Sequence, residues 1–395
     1  MAITDKEKGV WGLDQVYNKI NQGSIWQYNG VLGLWAVGGN NANGNLGQNN
    51  TTTYSSPIQV GSDSTWSKVA GQFSVMGFND YSVAAMKTDG TLWTWGKNEG
   101  TLGHNNNVKY SSPVQVPGTT WSNVNAHAIT MAAVKTDGTL WTWGYNPDGQ
   151  LGQNNRTSYS SPKQIPGTTW STIHSSGYSM IATKTDGTLW MWGEGGQGQL
   201  ANNLTAKRSS PVQIPGTTWS NNADAISGTY GSNGCVAAIK TDGSLWTWGA
   251  GGQGRQGRND TSDSSSPRQV GSDTTWSKVA GGKNGFHAIK TDGTAWSWGD
   301  NEAGQLGLSD KTYRSSPTQI GSGTNWSRVA PYDYWGIITK SDGTAWAMGN
   351  MTNDKIGKND TNGASPTGSP VQVASVGWVD VQSSRQWAMG LGEDI

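Results

Sequence analysis

The sequence predicts an all-β fold: a seven-bladed β-propeller whose closing blade is built from both termini, with a short N-terminal arm. Three recurring motifs carry that reading. The string TDGTLWTWG and its variants, the string W-S-x-V and its relatives, and the string S-S-P-x-Q-V/I each occur seven times. Self-similarity at a period near 50 residues is the mark of a repeat architecture. The division that follows is an arm at 1–29 and a propeller at 30–395.

Each unit reads as four short strands. The first is W-S-x-V, with its tryptophan at Trp66, Trp121, Trp170, Trp219, Trp276, Trp326 and Trp378. The second ends A-I-K-T and runs into an Asp-Gly pair, where glycine supplies the positive φ of a tight hairpin. The third, T-L-W-T-W, is β-branched and aromatic throughout. Its first tryptophan falls at Trp35, Trp93, Trp141, Trp190, Trp246, Trp296 and Trp346, and all of these but Trp35 are expected to form the blade core. A loop of the type N-x-x-G-Q-L-G leads to the fourth strand, P-V-Q-V, where proline suits a strand start or an edge. No long helical period interrupts the series, and four-stranded units repeated in this way argue for a propeller.

The spacing also predicts how the ring closes. From Trp276 to Asp292 and from Trp326 to Asp342 is 16 residues, and 16 residues beyond Trp378 lies Asp394. The last unit therefore reaches only its hairpin turn. Its missing strands are the ones carrying Trp35 and Pro57 at the other end of the chain.

Composition agrees. Of 395 residues, 57 are glycine and 23 tryptophan, while only 14 % are charged. That profile excludes a disordered chain and a coiled coil, and the glycines follow no collagen period. The second tryptophan of WxWG brings the template total to 19 of 23, leaving Trp11, Trp26, Trp335 and Trp387. Lysine plus arginine equals aspartate plus glutamate at 27 each. A zero balance weighs against nucleic acid, whose binding surfaces show a basic excess. No apolar run approaches the ~18–20 residues of a membrane span, and no secretory h-region opens the chain. One cysteine, Cys235, excludes an internal disulfide.

The run LWTWGxNxxGQLG, followed by SSPVQV and then by a strand and an Asp-Gly turn, resembles the regulator-of-chromosome-condensation repeat over residues 30–395. The resemblance implies the propeller fold. It also implies activities, guanine-nucleotide exchange and chromatin binding, that rest on particular surface loops with no counterpart here. Where that family often has a histidine, seven residues before the turn aspartate, this chain has Ser82, Thr130, Ser179, Cys235, Gly285 and Trp335. Fold alone does not supply function.

Within the arm, Leu13, Val16, Tyr17 and Ile20 fall at i, i+3, i+4 and i+7, and Gly23 stands where a helix would end. A short helix is expected, covering its own propeller or anchoring the chain to an assembly. The string GVWGLDQVYNKINQGSIW resembles G-[IV]-W-x-L-x-x-x-Y, a segment of tailed-phage virion proteins. Trp11, Leu13, Val16, Tyr17, Ile20 and Trp26 are therefore the anchor candidates.

Catalytic chemistry is not supported. The turn aspartates Asp89, Asp137, Asp186, Asp242, Asp292 and Asp342 recur for geometry. His104, His127, His174 and His287 sit at different offsets, so the repeat does not gather them into a metal site. Gly193–Gly198 and Gly249–Gly254 match G-x-G-x-x-G, but both lie in the loop after the third strand rather than at the start of a helix. Cys235 reads as a buried, inert thiol. No catalytic residue, metal or cofactor is expected.

Binding residues are expected where the repeat breaks. First-strand to third-strand tryptophan takes 20 residues in most units but 27 from Trp66 to Trp93 and from Trp219 to Trp246. The first insertion holds Phe73, Met76, Phe78 and Tyr81, and the second holds Tyr230 and Asn233. The same connection elsewhere carries Tyr332, Asp333, Tyr334 and Trp335. Aromatics on exposed loops suit a contact surface for protein or glycan; otherwise they plug the central channel.

The leading expectation is a non-enzymatic phage virion protein in a fibre, in the tail or decorating the capsid. Its arm would join other virion proteins, and its propeller would face a host-surface glycan or protein. Self-association is left open. The alternative is a cellular or secreted interaction propeller that binds a protein partner, of the inhibitor or exchange-factor type, with the cytoplasm as the alternative location to the virion. An enzyme ranks third, for want of a converging acid and base.

Overall fold

Six Asp-Gly pairs, Asp89-Gly90, Asp137-Gly138, Asp186-Gly187, Asp242-Gly243, Asp292-Gly293 and Asp342-Gly343, each close a two-strand hairpin. In the first, Gly90 donates its N–H to the Lys87 carbonyl at 3.0 Å, and Lys87 donates to Thr91 at 3.0 Å. Gly90 has φ +77°, and a Cβ there would meet the backbone of Thr120 at 3.2 Å. Both facts require glycine.

A computed structural model describes residues 33–37, 41–54, 58–70, 82–127, 129–203, 205–230, 234–350, 367–374, 378–383 and 388–392. They form seven four-stranded antiparallel sheets. Six are each built from four consecutive strands, within 66–115, 121–165, 170–214, 226–269, 276–319 and 326–374; these are blades one to six. The seventh joins Ile58–Gln59 and Gly33–Val37 to Ala388–Gly392 and Trp378–Ser383, in that order. Trp35 pairs with Gly390, so strands from the two ends hydrogen-bond as expected from the Trp378 spacing. The anchor arm, with Trp11, Leu13, Val16, Tyr17, Ile20 and Trp26, lies outside the described residues.

The strand that opens each blade is the innermost. These seven inner strands touch one another in sequence around a full circle, the last (Trp378–Ser383) meeting the first (Trp66–Ala70). Antiparallel pairing then gives the ring two distinct faces. The turn face collects the Asp-Gly hairpins and the blade-to-blade links. The loop face collects the connection from inner to second strand and the longer loop from third to outer strand.

The core is a layer of tryptophan between blades. Trp95, Trp143, Trp192, Trp248 and Trp298 are fully buried, and Met348 takes the place in blade six. Each indole donates its Nε1 hydrogen to a loop carbonyl of the preceding blade: Trp95 to Asn45, Trp143 to Thr101, Trp192 to Gln150, Trp248 to Gln199 and Trp298 to Arg255, at 2.8–3.0 Å. A buried indole N–H needs such a partner. Neighbouring sheets are thus joined by hydrogen bonds as well as apolar contact.

This corrects the expected blade core. Trp93, Trp141, Trp190, Trp246, Trp296 and Trp346 are only partly buried. They share a strand face with the second tryptophans, two residues on, but stand at the turn-face end, where the sheet runs out.

The second insertion also differs from expectation. The inner-strand segment from Trp276 to Gly281 spans six residues, whereas Trp219 to Gly228 spans ten. Four of the seven extra residues therefore lengthen the path to the end of the strand, including a turn in which Ala225 donates to the Asn222 carbonyl at 3.0 Å. Only three enlarge the connection. Spacing between tryptophans cannot tell a strand bulge from a longer loop.

Candidate binding face

On the turn face the template repeats almost without change. Each turn aspartate accepts the backbone N–H two residues on, at 2.9 Å, and the hydroxyl of that same Thr or Ser, at 2.6–2.7 Å. That hydroxyl in turn accepts the Nε1–H of the first tryptophan, at 2.8–3.1 Å. The result is a fixed Trp–Thr–Asp chain, with Ser244 in place of Thr in blade four. These hydrogen bonds hold the carboxyls of Asp89, Asp137, Asp186, Asp242, Asp292 and Asp342 below the usual range.

Between the two tryptophans of each blade sits the lysine of K-T-D-G. Lys135 Nζ lies 4.8 Å from the Trp121 ring and 5.0 Å from Trp141. Lys87, Lys184, Lys240, Lys290 and Lys340 repeat the arrangement. The partly buried tryptophans thus serve as cation–π partners. The periodic lysine was visible in the sequence, but strand order was needed to place it between two rings.

The loop face is where the blades differ. Its connections are stitched across blade boundaries. Gly177 donates to Thr229 at 2.9 Å and Tyr230 to Gly282 at 3.3 Å, both backbone to backbone. Lys283 Nζ pairs with Asp333 at 2.9 Å, donates to the Tyr334 hydroxyl at 3.2 Å and lies 4.6 Å from the Tyr334 ring. Tyr230 stacks on Tyr332 with centroids 4.8 Å apart, reaching from blade four to blade six.

Burial overturns part of the expected contact surface. Tyr230, Tyr332 and Trp335 are 1–3 % exposed and belong to one apolar cluster with Trp66, Trp95 and Leu34. Here the channel-filling role describes them better than an exposed aromatic patch. Tyr334 is partly exposed. Phe73, Met76, Phe78, Tyr81 and Asn233 lie outside the described residues, although the strands flanking 71–81 and 231–233 end on this face.

Two clusters escaped the sequence reading. Asp224, in the extra turn before the inner strand of blade four, pairs with Arg328 of blade six at 2.7 Å and with Lys278 of blade five at 3.7 Å. The other surrounds His287, whose ring Nε2 lies 3.1 Å from the Gln305 carbonyl and whose burial holds its pKa down to about 4. No regularity of spacing announces either cluster, because each draws on residues from more than one element.

Cys235 is buried, and desolvation pushes its thiol up to about 12, which keeps it protonated. Among the described residues no three His, Cys, Asp or Glu side chains converge as a metal site. The Gly249–Gly254 match ends in a 3₁₀ turn at Gly252–Gly254, not in an α-helix. Among the described residues no helix is long and apolar enough to cross a membrane.

No curated protein matches the chain. Solved structures do, at identities that speak to fold alone. Prp20p of Saccharomyces cerevisiae, reported with its binding properties to Gsp1p and histones, has a TM-score of 0.77 at 17 % identity, covering 92 % of each chain. Yeast RCC1 (Prp20) bound to Kap60 gives 0.75 at 17 %, over 92 % of this chain and 89 % of that one. Human WBSCR16 gives 0.75 at 16 %, over 92 % and 99 %. The family model of the regulator of chromosome condensation (RCC1) repeat matches residues 89–133, 137–182, 186–238, 242–288 and 292–330. Each matched unit starts at an Asp-Gly turn and ends in the next blade, so the sequence repeat itself bridges neighbouring sheets. With more than half of its length matched, the chain belongs to the regulator of chromosome condensation (RCC1) repeat family.

Proposed function

We propose that this chain is a non-enzymatic interaction propeller that holds a protein partner on its loop face. One observation carries the reading: the connections from inner to second strand, all on the loop face, differ from blade to blade in length and in residue type. The strands flanking 71–81 and 231–233 and the Tyr332–Trp335 connection all meet the loop face. The turn face, by contrast, repeats one arrangement six times. Function that distinguishes one propeller from another resides in such loops on a rigid scaffold.

The relatives favour this reading over a virion role. Two of the structures above concern a yeast protein reported with protein partners, bound to Kap60 in one and with binding properties to Gsp1p and histones in the other. The virion expectation rests on the arm at 1–29, and no relative found here supports it.

Affinity capture with the full chain, read by quantitative mass spectrometry, tests the proposal. A protein captured by the wild type should be lost when residues 71–81 are replaced by a Gly-Ser linker, and retained in Asp137→Asn on the turn face. Capture that survives the loop replacement but fails on removal of 1–29 would move the binding to the arm and favour assembly into a particle.

A further inference from the structure

The turn face repeats one lysine in six blades, but the chain does not complete all six sites alike. In blade one the link Gly61-Ser62-Asp63 brings a carboxylate onto Lys87, and in blade five Gly271-Ser272-Asp273 does the same for Lys290 at 2.5 Å. The other oxygen of each carboxylate accepts the backbone N–H and the hydroxyl of Thr65 or Thr275, at 2.6–2.9 Å. In blades two, three and four the link reads Pro-Gly-Thr-Thr and carries no acid. In blade six it reads Gly321-Ser322-Gly323, with glycine where the aspartate stands.

Lys135, Lys184 and Lys240, in three consecutive blades, are therefore left with their tryptophans. Each Nζ lies 3.9–5.0 Å from the centroids of its two flanking rings. Among the described residues none accepts a hydrogen bond from these ammoniums, and each nitrogen is within reach of solvent. An ammonium has three N–H donors, and ring faces attract its charge without supplying the lone pairs those donors take. Beside Lys135 the link is also open. Gly118 carries no side chain, and a Cβ there would stand 3.4 Å from Nζ.

We propose that blades two to four hold an acidic polypeptide segment of a partner on the turn face. Its side-chain carboxylates would take, on Lys135, Lys184 and Lys240, the place that Asp63 and Asp273 fill within the chain. The proposal concerns the face opposite to the interaction reading above and stands apart from it. The turn aspartates do not forbid it. Asp89 and Asp292 are close enough to feel Lys87 and Lys290, and those two lysines take a second carboxylate all the same. A phosphate chain fits less well, because each lysine is matched by a turn aspartate and the face has no basic excess. One exposed ion pair binds weakly, but three on one segment act together through effective concentration.

The test is fluorescence anisotropy of the full chain with fluorescein-labelled poly-L-glutamate, and in parallel with labelled oligodeoxythymidylate of equal charge. The polyglutamate should bind more tightly. Lys184→Gln, at the centre of the three blades, should weaken it about three- to fivefold, the loss of one exposed charge pair. Asp273→Asn frees Lys290 between Lys240 and Lys340, and should tighten binding about two- to threefold, a gain that misfolding cannot produce. Glu99→Gln makes the same charge change beside Lys97 on the loop face, and should leave the affinity unaltered. Replacement of 71–81 should leave it unaltered too, so a failed capture on the loop face does not decide this titration. Absence of polyglutamate binding, an oligonucleotide bound as tightly, an unchanged affinity in Asp273→Asn, or an equal gain in Glu99→Gln would overturn the proposal.

Discussion

The two faces of this ring obey different rules. On the turn face, one unit of Asp, Thr or Ser, Trp and Lys recurs in six blades with distances that vary by a few tenths of an ångström. On the loop face, no two described inner-to-second connections share a side-chain arrangement. Gly177 is tied to Thr229 through its backbone, Tyr230 crosses a blade to stack on Tyr332, and Lys283 reaches Asp333. The repeated face stabilises six blades through one solution, and the variable face carries what is particular to this chain. Mutations should therefore have repeat-independent, additive effects on the first and blade-specific effects on the second.

The largest effect is expected between the faces, in the buried indole layer. Trp143→Ala removes a fully buried ring and its bond to Thr101, and should cost about 3–5 kcal/mol in urea unfolding. Trp141→Ala, on the same strand but partly buried under Lys135, should cost only about 1–2 kcal/mol. Equal costs would show that the second tryptophan of the motif is not the core residue. Next comes Tyr332→Ala on the loop face, at about 2–3 kcal/mol for a buried ring stacked on Tyr230. A cost under 1 kcal/mol would return Tyr332 to the list of exposed contacts.

This ordering also marks what the sequence could reveal. Strand order, hairpin position and the pairing of the two ends follow from spacing, because a period of two and an Asp-Gly turn leave little freedom. The tryptophan that fills the core does not follow. Trp141 and Trp143 share a strand face, and only depth within the sheet separates them. Exposure of the aromatic connections was likewise illegible, since Tyr230 is buried by a residue two blades away. The Asp224–Arg328 pair spans 104 residues and joins blade four to blade six. Such groupings are made by ring closure, and no local pattern holds them.

A smaller effect should separate the two linked bonds of a single turn. Thr139→Val keeps shape but removes both the hydroxyl donated to Asp137 and the acceptor for Trp141 Nε1. At about 0.5–1.5 kcal/mol net per hydrogen bond, a loss near 1–2 kcal/mol is expected, because neighbouring water can reach this partly exposed site. The same change at Thr188 or Thr294 should cost a similar amount, and a double variant in two blades should be additive in unfolding free energy. Strong non-additivity would mean that the turn face is one coupled network, and the contrast with the loop face would lose its basis.

The smallest effect is one of pH, and it distinguishes blades within the turn face. Asp63 and Asp273 stand in G-S-D before an inner strand, where the links before Trp121, Trp170 and Trp219 read P-G-T and the link before Trp326 reads G-S-G. Each pairs with the lysine already held between two rings: Asp63 with Lys87, and Asp273 with Lys290 at 2.5 Å. The bond to that lysine, aided by Thr65 or Thr275, lowers each carboxyl to about 2. A depressed folded-state pKa adds stability above the unfolded value of ~3.9. That stability is lost as pH falls from about 4 towards 2. Both carboxyls are about a third exposed, so salt and solvent shrink the contribution. The urea midpoint of Asp273→Asn should therefore lie slightly below wild type at pH 7, approach it in 0.5 M salt, and coincide with it near pH 2. A gap that widens on acidification would show that Asp273 acts through shape rather than charge, and the lysine between its rings would then need no carboxylate to hold it there.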